Sequence, residues 1–276
     1  MPTLNPFKEA LQKLAGRSPV GVDFSSSEWA DVPLELRERA LFSARTTNAA
    51  YLQDIKDRVE AILNPVTVER DGQPVTQGLD VATARTELKQ ILKSISYDPG
   101  DKAGTIEDLS SDARLNLVLR HNVQSSQGYG NYLQSQAEGV LDEWPAQELF
   151  RAESREEPRD WPTRWMQAGG QIFAGRMIAL KSDPIWSEIS RFGTPYAPLD
   201  YNSGMELRDV DRETAIELGL LQPGATVQRT VEEFNARLTA SAADLSPELL
   251  DSLQQSFGDQ VEIGDGVIRW KGGEGD

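Results

Sequence analysis

The 276-residue chain contains no cysteine and one histidine, His121. Without cysteine there are no disulfides, no thiolate metal sites and no cysteine nucleophile. One histidine cannot by itself furnish a histidine-based metal site or a catalytic triad. No apolar run approaches the roughly 20 residues that a membrane-spanning helix needs. The opening Met1-Pro2-Thr3-Leu4-Asn5-Pro6 lacks the basic stretch and apolar core of a secretory signal. These absences lead us to expect a protein made and used in a cytoplasm, or inside a particle assembled there.

Positive charge is also scarce. The 28 Lys and Arg stand against 44 Asp and Glu, a net charge of -16. Nucleic-acid affinity rests on phosphate contacts from clustered basic residues, and no such cluster stands out, so direct nucleic-acid binding is not expected. From Glu232 onward ten acidic residues face three basic ones. That end reads as a solvated acidic surface, suited to a basic protein partner. No GxGxxG, Walker A, GxSxG or HExxH motif is present.

Apolar spacing supplies the architecture. Phe7, Leu11 and Leu14 mark a helix over 3–15, followed by a Gly-, Pro- and Ser-rich loop over 17–33. Leu41, Ala44, Asn48, Leu52, Ile55, Val59 and Ile62 predict one helix from Leu34 to Leu63, ended by Asn64-Pro65. Val66–Val68 and Val75-Thr76 flank Asp71-Gly72 as a hairpin. Asp80 caps a second helix through Ile95. A third, the longest, runs from about Ile106 to Leu141. Its apolar stripe turns polar and small through Asn122, Ser126, Gly128 and Gly130, where each glycine costs about 1 kcal/mol relative to Ala.

After Trp144-Pro145 the composition shifts. Gln147–Ala152 and Arg176–Leu180 read as strands, Ser154–Asp160 as a charged loop, 162–168 as a helical turn closed by Gly169-Gly170, and Ile185–Ile189 as a short helix. Asn202-Ser203-Gly204 is a tight turn. Asp211 caps a helix to Leu218, with Gly219 as its terminator. Residues 226–240 read as helix or strand–helix. Ser246-Pro247 opens another helix stopped at Gly258, and a hairpin turns on Gly264-Asp265-Gly266. The predicted fold class is α+β, a long-helix N-terminal half with a smaller mixed α/β C-terminal domain. The segments are 1–33, 34–144, 145–225 and 226–276.

Candidate chemistry is sparse. Asp183, Asp200, Asp209 and Asp211 lie close in sequence, and paired carboxylates can hold a cation or cleave a glycoside. Yet Asp183 precedes Pro184 and Asp211 precedes a helix, which are turn and cap positions. Trp144, Trp161, Trp165 and Trp186 are read as core or interface anchors before they are read as a cleft lining. His121 is expected on a helix surface or an interface. No catalytic, cofactor-binding or metal-ligating residue is assigned, and no cofactor.

Two stretches carry a resemblance. Arg120-His121-Asn122, followed by Tyr129 and Gly130, is similar to an Arg-Thr-Asn motif with a following aromatic or small residue and Gly. Downstream, Trp161–Gly219 runs from a strand through Asp183-Pro184-Ile185-Trp186 and a Pro-rich turn around Pro195 and Pro198 to a compact loop at Gly204. Together, over roughly residues 105–220, they resemble the phage Mu F-like minor head proteins, the phage head-morphogenesis family. The resemblance implies a structural protein of a tailed phage or prophage that acts in capsid assembly by association with the portal or major capsid protein. Its location would be the host cytoplasm and then the virion head. It marks Arg120, Asn122, Tyr129, Asp183, Trp186, Pro198 and Gly204 as interaction positions. Many family members end this domain with Cys and His residues; Asp200–Met205 has neither, so no metal site is carried over. The alternative of a different class is a carboxylate-dependent enzyme, a toxin-like transferase or a peptidoglycan hydrolase.

Overall fold

Helices dominate wherever apolar residues step by three and four, and short sheets fill the rest; the chain is of the α+β class. The computed structural model describes residues 6–70, 73–231, 239–242, 245, 247–258 and 261–270. The chain divides into two compact units, residues 10–126 with 237–276, and residues 127–236 with 1–9.

The first unit opens with α1 (Pro6–Ala15) from Ala10 onward, β1 (Ser18–Pro19), α2 (Ser26–Ala30), α3 (Leu34–Arg39) and β2 (Ala40–Leu41). Next come α4 (Ala49–Leu63), the antiparallel hairpin β3 (Val66–Arg70) and β4 (Gln73–Gln77), α5 (Val81–Ser94), and α6 (Asp112–Ser135) as far as Ser126. The turn expected at Asp71-Gly72 lies outside the described residues. Leu14, Leu52, Ile55, Val59, Leu88, Leu115 and Leu119, all at helical spacing, merge into one buried core. A second core joins Trp29, Val32 and Leu36 to Leu253, Phe257, Val261 and Ile268. The latter four lie on α11 (Pro247–Phe257) and in the sheet ordered β10 (Val261–Gly264), β11 (Val267–Trp270), β9 (Thr239–Ser241).

Two expected helices are corrected. The single helix from Leu34 to Leu63 is broken: Ala40-Leu41 pairs in parallel with Ser18-Pro19, and Arg45 takes a positive φ of 57°. Asn48 is no stripe residue. It is the cap of α4, and its side chain accepts from the Tyr51 N–H at 3.0 Å. The long third helix starts at Asp112 and ends at Ser135, with α7 (Glu138–Glu143) separate. The loop expected over 17–33 holds α2, nucleated by a capping box in which Ser25 and Glu28 satisfy each other's backbone N–H.

The second unit contains the end of α6, α7, β5 (Ala146–Arg151), α8 (Trp161–Gln167), β6 (Ile172–Phe173), β7 (Arg176–Leu180), α9 (Ile185–Glu188), β8 (Met205–Val210) and α10 (Arg212–Glu217). Its sheet is antiparallel in the order β6-β7-β5-β8. The two-residue period sends Leu149, Met177 and Ala179 to one face, against Trp161, Trp165 and Trp186. Ala146, Ile178 and Val210 go to the other, against Ala215 of α10 and Leu221. Trp165 and Trp186 meet edge to face at 5.3 Å and 61°, and both are fully buried. Of the segment 226–240, residues 232–238 lie outside the description, as do Ser246, the expected cap of α11, and residues 3–5.

Gly128 explains part of the weak stripe on α6. A Cβ there would stand 1.7 Å from the Ala197 carbonyl oxygen, which is backbone and cannot swing aside. Gly128→Ala is therefore expected to destabilise by about 1–3 kcal/mol through overpacking, although helix propensity alone favours Ala by about 1 kcal/mol. Trp186→Ala is expected to cost about 3–5 kcal/mol. Urea unfolding of both variants checks these signs and sizes.

Candidate functional site

Between α9 and β8, residues 190–204 run without helix or strand, so their backbone carbonyls need partners from elsewhere. Arginines supply them. Arg151 Nη1 donates to the Ser203 carbonyl at 3.4 Å, Arg155 Nε to Asn202 at 2.9 Å and Arg159 Nη2 to Tyr201 at 3.0 Å. Through Oδ2 the Asp200 carboxylate, 5% exposed, accepts from Arg164 Nη1 at 3.2 Å and forms an ion pair with Arg159 Nε at 3.3 Å; through Oδ1 it accepts from the Tyr201 N–H at 2.8 Å. Arg164 also lies 4.9 Å over the Trp161 ring, which ties the loop to the apolar core. The stretch read from the sequence as a charged loop is thus the brace of the Pro-rich one. The signal available was the spacing of Arg151, Arg155 and Arg159, four residues apart beside an irregular, apolar-rich segment.

The seven positions marked by the resemblance have distinct local roles. Asp183 is exposed and accepts from the Ile185 N–H at 2.9 Å, at the start of α9. Trp186 is fully buried and donates from Nε1 to the Leu180 carbonyl at 2.8 Å. Pro198 is half-buried and follows a cis bond from Ala197. Gly204 has φ 69°, and a Cβ there would meet the Glu153 carbonyl at 2.6 Å; its own carbonyl accepts from the Ala152 and Glu153 N–H groups. Tyr129 meets Tyr196 edge to face at 5.5 Å. These five belong to the second unit, and Arg120 and Asn122 to the first. Arg120 is exposed and Asn122 buried.

The four aspartates do not form one carboxylate site. Asp183 and Asp211 begin helices, Asp200 sits among arginines, and Asp209 lies 2.8 Å from Lys181 Nζ. Lys181 is almost wholly buried, which lowers its pKa; the contact is a close ion pair set off the hydrogen-bonding direction. Hydrogen bonds from the Thr214 N–H and hydroxyl hold Asp211 below the ordinary aspartate value. Among the described residues, every carboxyl with a displaced pKa is displaced downward. Nor do the described residues bring three or more His, Asp or Glu together as a metal site. Trp161, Trp165 and Trp186 are core; Trp144 is exposed.

In the first unit the polar middle of α6 has a partner that the sequence reading missed. Arg17, 6% exposed, reaches Asn122 Oδ1 at 3.5 Å and Ser125 Oγ at 3.2 Å, and lies 3.6 Å from Glu38 Oε1. Lys13 bonds the other Glu38 oxygen. A buried guanidinium needs acceptors, so the polar stripe is a receptor for Arg17. His121 stands in the field of this cluster: burial and the Arg17 charge lower its pKa to about 4, against the opposing pull of Glu38.

Because its folded value lies below the ordinary 6.5, His121 stays neutral in the fold while the unfolded chain takes up a proton. The stability it confers is complete above pH 6.5 and is lost as pH falls toward 4. Between pH 6.5 and 5 ordinary carboxyls remain largely ionised, so most of the slope there belongs to this histidine, and glutamates held below their ordinary value add a smaller part near pH 5. Urea unfolding at the two pH values is expected to show a loss of about 1–2 kcal/mol in the wild type and a clearly smaller loss in His121→Gln.

Among the described residues no helix is long and apolar enough to cross a membrane. Compared with protein-family models, with curated proteins and with solved structures, the chain matches none.

Proposed function

We propose that the chain is a minor head protein of a tailed phage or prophage, acting by protein–protein association in head morphogenesis near the portal. The observation that carries this reading is the use of the resemblance positions in the second unit. Asp183, Trp186 and Gly204 each do a structural task in one continuous path from β7 through α9 and the arginine-braced loop to β8. A residue pattern that specifies such a path is the kind that a family of assembly proteins would share, since a rigid loop platform spares a partner the entropy of ordering it.

The partner is the portal or the major capsid protein. Trp144, Met166 and Ile172, exposed at 40%, 54% and 37%, supply apolar anchors on the second unit. The acidic excess of the chain steers a basic partner surface toward it. The protein would act in the host cytoplasm during assembly and then in the virion head. The carboxylate-enzyme alternative gains nothing from the aspartates, each of which is engaged separately.

Tagged protein expressed in its native host during phage or prophage induction tests the reading. Mass spectrometry of retained proteins and of purified particles is expected to recover the portal or major capsid protein with the tag, and the chain within particles. A chain that is absent from particles and retains no head protein would sink the proposal.

A further inference from the structure

A small molecule needs a concave surface, and the first unit has an open cavity of about 500 Å³ where the end of α5 meets the loop that leads to α6. That volume lies within the range of small-ligand sites. Lys89, Leu92, Lys93 and Ser96 reach it together because the last three follow the first by three, four and seven residues, along one face of α5 and its exit. Leu92, 2% exposed, supplies the apolar part of the lining. Tyr97 and Ser110 complete it from the loop.

The lining is unbalanced in its hydrogen-bonding groups. Lys93 is exposed, and its ammonium has no partner among the described residues. Lys89 lies 2.6 Å from Asp112 Oδ1; an ammonium carries three N–H donors, and this contact uses one. The Tyr97 oxygen accepts from the Leu109 N–H at 3.0 Å, which fixes the ring, while its own proton goes to no described residue. The Ser96 hydroxyl also has no partner among them. Ser96 holds φ 56°, so a hydroxyl stands where a helix exit favours glycine. None of the six lining residues is a carboxylate.

The acids nearby are engaged elsewhere. Asp112 is shared by Lys89 and by Arg85, at 3.2 Å. Asp108, 4% exposed, accepts from the Gly104 and Ser110 N–H groups and from Ser110 Oγ. Asp98 and Asp101 are exposed on the loop, where water and salt screen them. The lining thus offers two cations and two hydroxyl donors with little to accept them. A phosphate monoester, with about −2 charge near pH 7 and three acceptor oxygens, answers that imbalance. A planar carboxylate is matched by a guanidinium fork, which the lining lacks.

We propose that this cavity binds a small phosphate monoester. Its phosphate would rest on Lys89, Lys93 and the hydroxyls of Ser96 and Tyr97, and its compact apolar body on Leu92 and the Tyr97 ring. The site lies wholly within the first unit and is independent of the assembly reading.

Titration of the isotope-labelled full chain with phenyl phosphate at low salt, followed by amide chemical shifts, tests the site. Inorganic phosphate and benzoate serve as comparison probes. The expected result is saturable shifts confined to Lys89–Tyr97 and Leu109–Ser111, with phenyl phosphate binding more tightly than either comparison probe. Lys93→Met is expected to weaken binding about fivefold or more; because Lys93 makes no contact that the fold needs, this variant keeps its structure. Lys102→Met removes a lysine outside the lining, paired with Glu107, and is expected to leave the affinity unchanged. Absent or scattered shifts, equal affinity in Lys93→Met, equal loss in Lys102→Met, or benzoate or inorganic phosphate binding as tightly as phenyl phosphate would each overturn the proposal.

Discussion

The irregular loop of the second unit is built around a buried charge. Asp200 sits within a segment that has neither helix nor strand to pair its backbone, and it is 5% exposed. Taking a carboxylate out of water costs several kcal/mol unless partners are already in place. Here two arginines and a backbone N–H meet it, and the same stretch of chain sends Arg151 and Arg155 to the carbonyls that follow. The requirement to satisfy one anion thereby orders a whole loop. Once ordered, that loop can close over Trp186 at one end and place Gly204 to start β8 at the other.

The first unit meets the mirror-image problem. There a cation, Arg17, is buried, and the surroundings that answer it come from two helices: Glu38 on α3, and Asn122 and Ser125 on α6. A helix that would gain from an apolar stripe carries polar residues instead, because leaving the guanidinium without acceptors would cost more than the lost burial. In both units, then, the departures from simple hydrophobic patterning are set by a buried charge and its partners. The Gly128 contact adds a second kind of departure, where backbone must approach backbone.

Much of this architecture could be read from local pattern. The stripes of α4, α5 and α6, the Asp80 and Asp211 caps, Gly219, and strands β5, β7, β10 and β11 all announce themselves within a few residues. What was not legible depends on partners distant in sequence. β8 carries Glu206, Arg208 and Asp209, and no strand was assigned to it from the sequence; it is paired along its length with β5. The break at residues 40–48 follows from pairing with Ser18-Pro19, two residues that show no strand signal of their own. Among the candidate positions, Trp186 and Gly204 were legible as a buried anchor and a tight turn. The partners of Asp200 and Asn122 were not, since an aspartate beside a tyrosine or an asparagine on a helix says nothing of an arginine 36 or 105 residues away.

The account turns on the claim that Asp200 and its arginines hold residues 199–205 in one conformation. Amide hydrogen exchange of the wild type and of Asp200→Asn measures this directly. The account predicts slow exchange in this loop in the wild type, at the Gly204-bonded amides of Ala152 and Glu153 as well, and fast exchange there in the variant while β5 and β7 stay protected. Loop amides that exchange at unprotected rates in the wild type, or that keep their protection without the charge, would contradict it.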